Sequence, residues 1–189
     1  MKVKMFIFSA PSGAGKTTIV HSLLKKIPFL EFSVSATSRP IRNNETDGKD
    51  YYFFTVEDFK QKIANHEFIE WEEVYKNRFY GTLKSEVNRI WEKGNHVVFD
   101  VDVVGGLNIR RLYPNEALSV FVMPPSIEEL EKRLWLRSTD STEDIDVRVA
   151  KAKKELEYAN QFDVIILNDD LEKAIEIAEN TVLQFIERK

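Results

Sequence analysis

The sequence contains no cysteine, only seven glycines and six prolines in 189 residues, and no long hydrophobic run. Without cysteine the chain has no disulfides and no thiolate-bound metal, which is typical of a reducing compartment. The apolar stretch near the start, Met5 to Phe8, is far too short to cross a bilayer or to act as a signal sequence. We therefore expect a cytoplasmic protein with no membrane partner.

An excess of basic charge is also missing. Lysine and arginine number 27 against 31 acidic residues, so the formal net charge is −4. Nucleic-acid-binding domains are usually basic, and the composition predicts no nucleic-acid partner. A small polyanion would require local clusters of positive charge. Nothing in the composition indicates an oligomeric state.

What the chain does contain is enough apolar sequence for one core. Hydrophobic residues make up 43% of the chain, which argues against disorder. A domain of this length buries about 70% of the surface that its unfolded chain exposes. The sequence predicts a single domain over residues 1–189.

Strand-like and helix-like patterns alternate along the chain. This alternation predicts an α/β fold with a mainly parallel sheet covered by helices on both faces. Residues 36–50 show no periodicity and read as a polar loop, and residues 138–146 are polar without an apolar anchor. The strands are predicted at residues 3–9, 29–35, 51–54, 68–74, 96–103, 117–123 and 162–167.

A phosphate-binding loop lies between the first strand and the first helix. Residues 9–18 read SAPSGAGKTT, which matches the pattern GxxxxGK followed by Ser or Thr except for Ala10 at the first position. Ala10 occupies the entry turn, where a methyl group fits if φ stays negative, so the alanine leaves the loop intact. The predicted ATP-binding residues here are Ala10, Pro11, Ser12, Gly13, Ala14, Gly15, Lys16, Thr17 and Thr18.

Further motifs follow in order over nearly the whole chain: SVSATSRPIR (33–42), GKDYYF (48–53), EFIEW (67–71), YGT (80–82), FDVDVVG (99–105) and VIILNDDL (164–171). Together they resemble the guanylate kinase family, which moves the γ-phosphate of ATP to GMP. The resemblance implies a three-layer P-loop kinase fold, an inserted GMP-binding region at about 36–82, and a lid at about 138–147. The core would then comprise residues 1–35, 83–137 and 148–189.

The chemistry of Glu70 suits guanine independently of this resemblance. Guanine presents two adjacent donors, N1–H and the 2-amino group, and one carboxylate can accept from both. Alternation along the strand places Phe68, Glu70 and Glu72 on one face and Trp71 on the other. The resemblance adds further GMP-binding residues: Ser35 and Thr82 for guanine O6, Arg39, Arg42, Tyr51 and Tyr80 for the phosphate, and Asp102.

Two aspartates in the predicted strand 96–103 complete the acidic set. Asp100 and Asp102 are two residues apart, so in a strand they point the same way, and we assign Asp100 with Thr17 to Mg²⁺ and Asp102 to GMP. A helix cap is the alternative role for such an aspartate.

In-line phosphoryl transfer requires cations around the moving group. We assign this catalytic role to Lys16, Arg39, Arg137 and Arg148, and the resemblance places Arg133, Asn168 and Asp169 on the ATP side. The chain departs from its relatives at Arg137-Ser138-Thr139, where they commonly read RGT. The lid assignments depend on how the chain bends at Ser138.

Two other functions compete with ATP-dependent phosphorylation of GMP and dGMP. A noncatalytic interaction module of the same fold typically has a degraded phosphate loop, whereas this chain keeps Lys16 and Thr17. A P-loop kinase acting on a ribose phosphate would have no use for Glu70.

Overall fold

Five parallel strands form the central sheet of the protein, whose computed structural model describes residues 3–137 and 142–188, with the side chains of residues 137 and 142–144 outside the described part. The strand order in this sheet is β2-β7-β1-β8-β9. The mainly parallel sheet predicted from sequence is confirmed. The strands are β1 Met5–Ser9, β2 Leu30–Phe32, β3 Ala36–Thr37, β4 Tyr52–Phe53, β5 Phe68–Tyr75, β6 Arg78–Leu83, β7 His96–Asp100, β8 Ala117–Met123 and β9 Val164–Leu167.

Helices cover both faces of this sheet, so the core has three layers. On one face Phe6 and Phe8 pack with α1 and α7, and on the other Met5 and Ile7 pack with α3 and α4. Because both faces are covered, every residue of β1 is buried. The helices are α1 Lys16–Lys26, α2 Val56–Ala64, α3 Lys84–Glu92, α4 Val103–Leu112, α5 Ile127–Arg137, α6 Thr142–Leu156 and α7 Leu171–Glu187.

A second sheet of four strands, ordered β4-β3-β6-β5, is built from residues 36–83. Helix α2 packs on it through Phe59, whose ring stacks on Phe68 at 4.4 Å and lies 5.5 Å from Phe79. Thr55 caps this helix, accepting from the amide of Asp58 at 3.0 Å. The region proposed as an insertion therefore has its own small apolar core.

The strand predicted at 96–103 is too long. β7 ends at Asp100, and Asp102 is the N-cap of α4, where its Oδ1 accepts from the amide of Gly105 at 2.7 Å. The prediction that Asp100 and Asp102 share a strand and point the same way is therefore wrong. The local sequence does not predict this helix because its first turn contains Gly105 and Gly106, which have poor helix propensity.

Pairing between distant segments also creates strands that local patterns do not reveal. The predicted loop 36–50 begins with the two-residue strand β3, which pairs with β6, and β6 itself was not predicted. Two-residue strands carry no readable alternation, so their existence depends on the partner strand. Helix α1 begins at Lys16, two residues earlier than its apolar spacing indicates.

Helices α5 and α6 pack against each other at the predicted lid. Residues 138–141 of that lid lie outside the described residues, and α6 begins at Thr142. Ile145 is fully buried in a cluster with Leu130 and Leu134, so the expectation that this stretch lacks an apolar anchor is wrong. Within the described residues, no helix combines the length and the hydropathy needed to cross a membrane.

Candidate active site

The phosphate loop joins β1 to α1 and turns through two glycines in the left-handed region. Gly13 has φ 91° and Gly15, the N-cap of α1, has φ 94°. Among the described residues other than glycine, only His66 and Asn77 have positive φ, so Ala10 keeps the negative φ its methyl group requires. The loop thus directs backbone amides and the positive end of α1 to one place.

Asn168 supports this loop from behind. Its Nδ2 donates to the carbonyl oxygen of Ala14 at 2.7 Å, and a Cβ at Gly15 would lie only 2.2 Å from the same nitrogen. The guanidinium of Arg133 donates twice to the carbonyl oxygen of Asn168, at 3.3 Å. Asp169 is exposed, and its Oδ1 accepts from the amide of Asp170 at 2.8 Å.

The loop's lysine and threonine meet the end of β7. Lys16 Nζ forms an ion pair with Asp100 and donates to the carbonyl oxygen of Val101 at 3.0 Å. Thr17 Oγ1 donates to the other carboxylate oxygen of Asp100 at 3.0 Å. The structure therefore brings together Thr17 and Asp100, the two residues assigned to Mg²⁺ from sequence.

A cleft of about 430 Å³ runs from the phosphate loop to the second sheet. Residues predicted to bind ATP and residues predicted to bind GMP both line this cleft. The predicted residues lining it are Ala10, Pro11, Ser12, Gly13, Gly15, Lys16, Thr17, Thr18, Ser35, Tyr51, Glu70, Tyr80, Asp100, Asp102 and Arg148.

Glu70 lies in the wall of this cleft. Its Oε1 accepts from Thr82 Oγ1 at 2.8 Å, and a Cβ added to Gly105 would lie 2.8 Å from its Oε2, so only glycine leaves the carboxylate this place. The pKa of Glu70 is raised to about 7, mainly by burial and also by the charges of Asp102 and Glu72, while the Thr82 hydrogen bond opposes the rise. Glu70 and Thr82, which the sequence analysis assigned separately to guanine, are thus hydrogen-bonded to each other.

Glu72 is a further carboxyl group in the wall of the cleft. Burial raises the pKa of Glu72 to about 7, and the charge of Asp102 contributes to the rise. Asp102 caps α4, which is the alternative role considered for it, and it also lines the cleft.

The two arginines assigned to the GMP phosphate from sequence, Arg39 and Arg42, do not line this cleft. Arg39 is buried and donates to both carboxylate oxygens of Glu45, with Nη1 2.6 Å from Oε2, and its guanidinium lies 4.9 Å from the ring centroid of Tyr51. Arg39 thereby holds the pKa of Glu45 down to about 2. Arg42 is exposed, and its amide donates to Glu45 at 2.9 Å. The Tyr51 and Tyr80 rings lie 6.1 Å apart.

Sequence reasoning missed several residues that shape the site. Glu45 was hidden in a polar loop, whereas the alternation that placed Glu72 beside Glu70 was a usable signal. Lys151 and Glu155 line the cleft from α6, one and two turns beyond Arg148, so helical spacing could have found them. Arg137 ends α5, and its side chain lies outside the described part.

Comparison with known proteins gives a consistent result. A family model described as guanylate kinase matches residues 2–185. A guanylate kinase of Bacteroides thetaiotaomicron is 53% identical over all 189 residues, which cover 93% of that protein. A guanylate kinase of Porphyromonas gingivalis is 50% identical over 184 residues, which are 97% of this chain and 98% of that protein.

A solved structure is similar over nearly the whole chain. The crystal structure of guanylate kinase from Anaplasma phagocytophilum superposes with a TM-score of 0.80 at 28% sequence identity. The match covers 99% of this chain and 88% of that one.

Proposed function

Since the chain belongs to the guanylate kinase family of nucleotide-binding transferases, we propose that it transfers the γ-phosphate of ATP directly and in line to GMP and dGMP, giving GDP or dGDP and ADP. The observation that carries the proposal is that the phosphate loop and Glu70 line the same cleft. A donor bound at the loop and a guanine bound at Glu70 would have their phosphates between them. The family assignment supports GMP phosphorylation, and the cleft supports ATP as the donor.

The GMP side of the mechanism depends on Glu70. Its carboxylate accepts from N1–H and the 2-amino group of guanine, and Ser35 donates to O6. Thr82 has one hydroxyl proton and donates to O6 when that proton leaves Glu70. Adenine presents an acceptor at N1 and would be repelled. Arg39, Arg42, Tyr51 and Tyr80 bind the GMP phosphate, for which Arg39 exchanges its present carboxylate partner, Glu45.

The ATP side depends on the phosphate loop. Backbone amides around Gly13 and Gly15 bind the β-phosphate, and Lys16 exchanges Asp100 for the β and γ phosphate oxygens. Arg133, Asn168 and Asp169 lie towards adenine, and Arg148 of α6, together with Arg137, balances charge on the moving phosphoryl group. Closure of the 36–82 region and of the lid at 138–147 over the core would exclude water.

The donor set at Thr17 and Asp100 fits Mg²⁺, which prefers hard oxygen ligands and keeps water or phosphate in most positions. In the part of the chain that the structure describes, no cluster of three or more acidic or histidine side chains able to hold a metal occurs. When bound, Mg²⁺ supplies positive charge against the β and γ phosphates. Location in the cytoplasm stays an expectation from composition.

The test is ADP release measured with GMP, dGMP, AMP and UMP as acceptors. We expect a clear preference for the two guanine nucleotides, and equal rates with all four acceptors would refute the proposal. A ribose phosphate is tested as a further acceptor, because a P-loop kinase acting on a ribose phosphate is the competing hypothesis. If that hypothesis is correct, Glu70→Ala should leave activity on the ribose phosphate intact.

Glu70→Gln sharpens the assignment. A hydrogen bond to a charged group contributes about 1.5–3 kcal/mol, so kcat/KM for GMP should fall by about tenfold to a hundredfold. Glu73→Gln is the matched control, because Glu73 lies on the same strand, is exposed, and accepts from the amide of Asn77 at 2.7 Å. Equal losses of kcat/KM for GMP in both variants would show that Glu70 does not recognise guanine.

A further inference from the structure

A buried carboxylate outside the cleft joins the second sheet to the core. The side chain of Glu86, on α3, is 1% exposed. Its Oε1 accepts from the amide of Val34 at 3.1 Å and its Oε2 accepts from the hydroxyl of Tyr52 at 2.9 Å. Arg89 donates to both oxygens at 2.9 Å. Glu86 thus accepts four hydrogen bonds, which is a full complement for a buried carboxylate.

Two of these donors adjoin predicted GMP ligands. Val34 precedes Ser35, and Tyr52 follows Tyr51, while the carbonyl oxygen of Ser35 accepts from the amide of Tyr52 at 2.9 Å. Glu86, Val34, Ser35 and Tyr52 therefore form a closed ring of covalent and hydrogen bonds. Both Ser35 and Tyr51 line the cleft from this ring.

The other two bonds anchor the ring to the core. Arg89 also donates to Glu31 of β2 at 2.5 Å, and Lys93 and Asn95 donate to the same Glu31 at 2.8 and 2.9 Å. Burial alone would raise the pKa of Glu86, but the hydrogen bonds from Arg89, Val34 and Tyr52 outweigh it and lower the pKa. Glu86 is therefore an anion at neutral pH.

We propose that Glu86 is a positioning residue for GMP binding, which holds Val34 and Tyr52 so that Ser35 and Tyr51 meet guanine and phosphate together. The inference rests on the proposed function. The chain passes from the core sheet to the second sheet through residues 33–36. A shift of this segment would therefore move the predicted GMP-binding residues of the second sheet. A ligand site held by a fully bonded carboxylate is ordered before GMP arrives, which lowers the entropic cost of binding.

A purely structural role makes a different prediction. Loss of a merely stabilising contact would lower the fraction of folded protein and affect both substrates alike. A positioning role changes the KM for GMP and leaves the KM for ATP unchanged, because the hydrogen bonds of Glu86 reach the GMP side and none reaches the phosphate loop.

The experiment compares Glu86→Gln and Tyr52→Phe with wild type by steady-state kinetics and by calorimetric titration with GMP. Glutamine keeps one acceptor oxygen, but its NH2 group would face N–H or O–H groups that donate to Glu86 in the wild type. The KM and Kd for GMP should therefore rise about tenfold. Tyr52→Phe removes one hydrogen bond without burying a new polar group, and we expect a rise of about threefold. The KM for ATP should not change in either variant.

Glu92→Gln is the control, since Glu92 ends the same helix and is exposed. A wild type that binds and phosphorylates no GMP would refute the proposed function. A wild type that does so, with both variants keeping its KM and Kd for GMP, would refute the positioning role alone. If Glu86→Gln does not fold, Tyr52→Phe decides by the same measurement.

Discussion

At the scale of single residues, the site is defined by carboxyl groups placed where water cannot fully solvate them. Glu70, Glu72 and Asp102 crowd one wall of the cleft, and burial raises the pKa of both glutamates to about 7. Asp102 and Glu72 face Glu70 with like charge, and Thr82 faces it with a donor. A bound guanine would place two hydrogen-bond donors beside Glu70, which favours the charged form of its carboxyl group. GMP binding and deprotonation of Glu70 are therefore linked.

GMP affinity should therefore depend on pH near neutrality. Below a pKa of about 7 the protonated Glu70 cannot accept from both guanine donors, so the Kd for GMP should rise up to tenfold for each unit of pH decrease. Calorimetric titration between about pH 6 and about pH 8 measures this. The phosphate of GMP also titrates near pH 6, and Glu70→Gln isolates that contribution. Parallel pH profiles for wild type and Glu70→Gln would contradict the prediction.

At the scale of elements, the strand, loop and helix around Gly15 follow from local sequence, whereas α4 and β6 do not. The phosphate loop is contiguous, and its positive φ values fall on glycines. Helix α4 is stabilised by its N-cap, Asp102, and by burial of Leu107 and Ile109. These contacts outweigh the poor helix propensity of its glycines. Local pattern predicts an element reliably only when tertiary contacts agree with it.

Gly15→Ala should destabilise the loop more than its backbone strain alone accounts for. An alanine there has φ 94° and meets Asn168 Nδ2 at 2.2 Å, and we expect a loss of about 1–3 kcal/mol in the free energy of unfolding. Urea unfolding measures the loss. Gly94→Ala is the control, since its φ is 78° and a Cβ meets nothing within 4 Å. Equal losses would show that contact with Asn168 is unimportant.

Ile145→Ala should separate α6 from α5. Ile145 is fully buried against Leu130 and Leu134, and removing such a side chain costs about 2–5 kcal/mol. Hydrogen exchange should speed up in α6 before the core sheet is affected. Val147→Ala, on the same helix and 64% exposed, is the control. Unchanged exchange in Ile145→Ala would show that this contact does not hold the helix.

At the scale of the whole molecule, the central sheet also buries a histidine. His96 begins β7, is 3% exposed, and its Nδ1 accepts from the amide of Lys4 at 3.0 Å. The rings of Phe6 and Phe29 lie at 6.2 and 5.7 Å. Burial lowers the pKa of His96, and the nearby charge of Lys4 lowers it further.

This histidine should make global stability depend on pH. The unfolded chain binds a proton near pH 6.5 and the folded chain does so only at lower pH, so stability is complete above about 6.5 and is lost as pH falls. The loss is at most about 1.4 kcal/mol per pH unit. Urea unfolding of wild type and His96→Gln should give curves that converge as pH falls. His21→Gln, at an exposed position on α1, is the control, and parallel curves for His96→Gln would contradict the prediction.

The sequence by itself determined the fold class and the phosphate loop, and it predicts Glu70 as the acid for guanine, because those features depend on contiguous residues and on period-2 or helical spacing. Only the tertiary structure decided that Asp102 caps a helix, that Glu45 holds Arg39, and that Glu86 joins Val34 to Tyr52. Hydrogen-bond partners 52 residues apart, such as Val34 and Glu86, leave no periodic trace. Such contacts are selected by burial, which forces each polar group to find a partner wherever the fold supplies one.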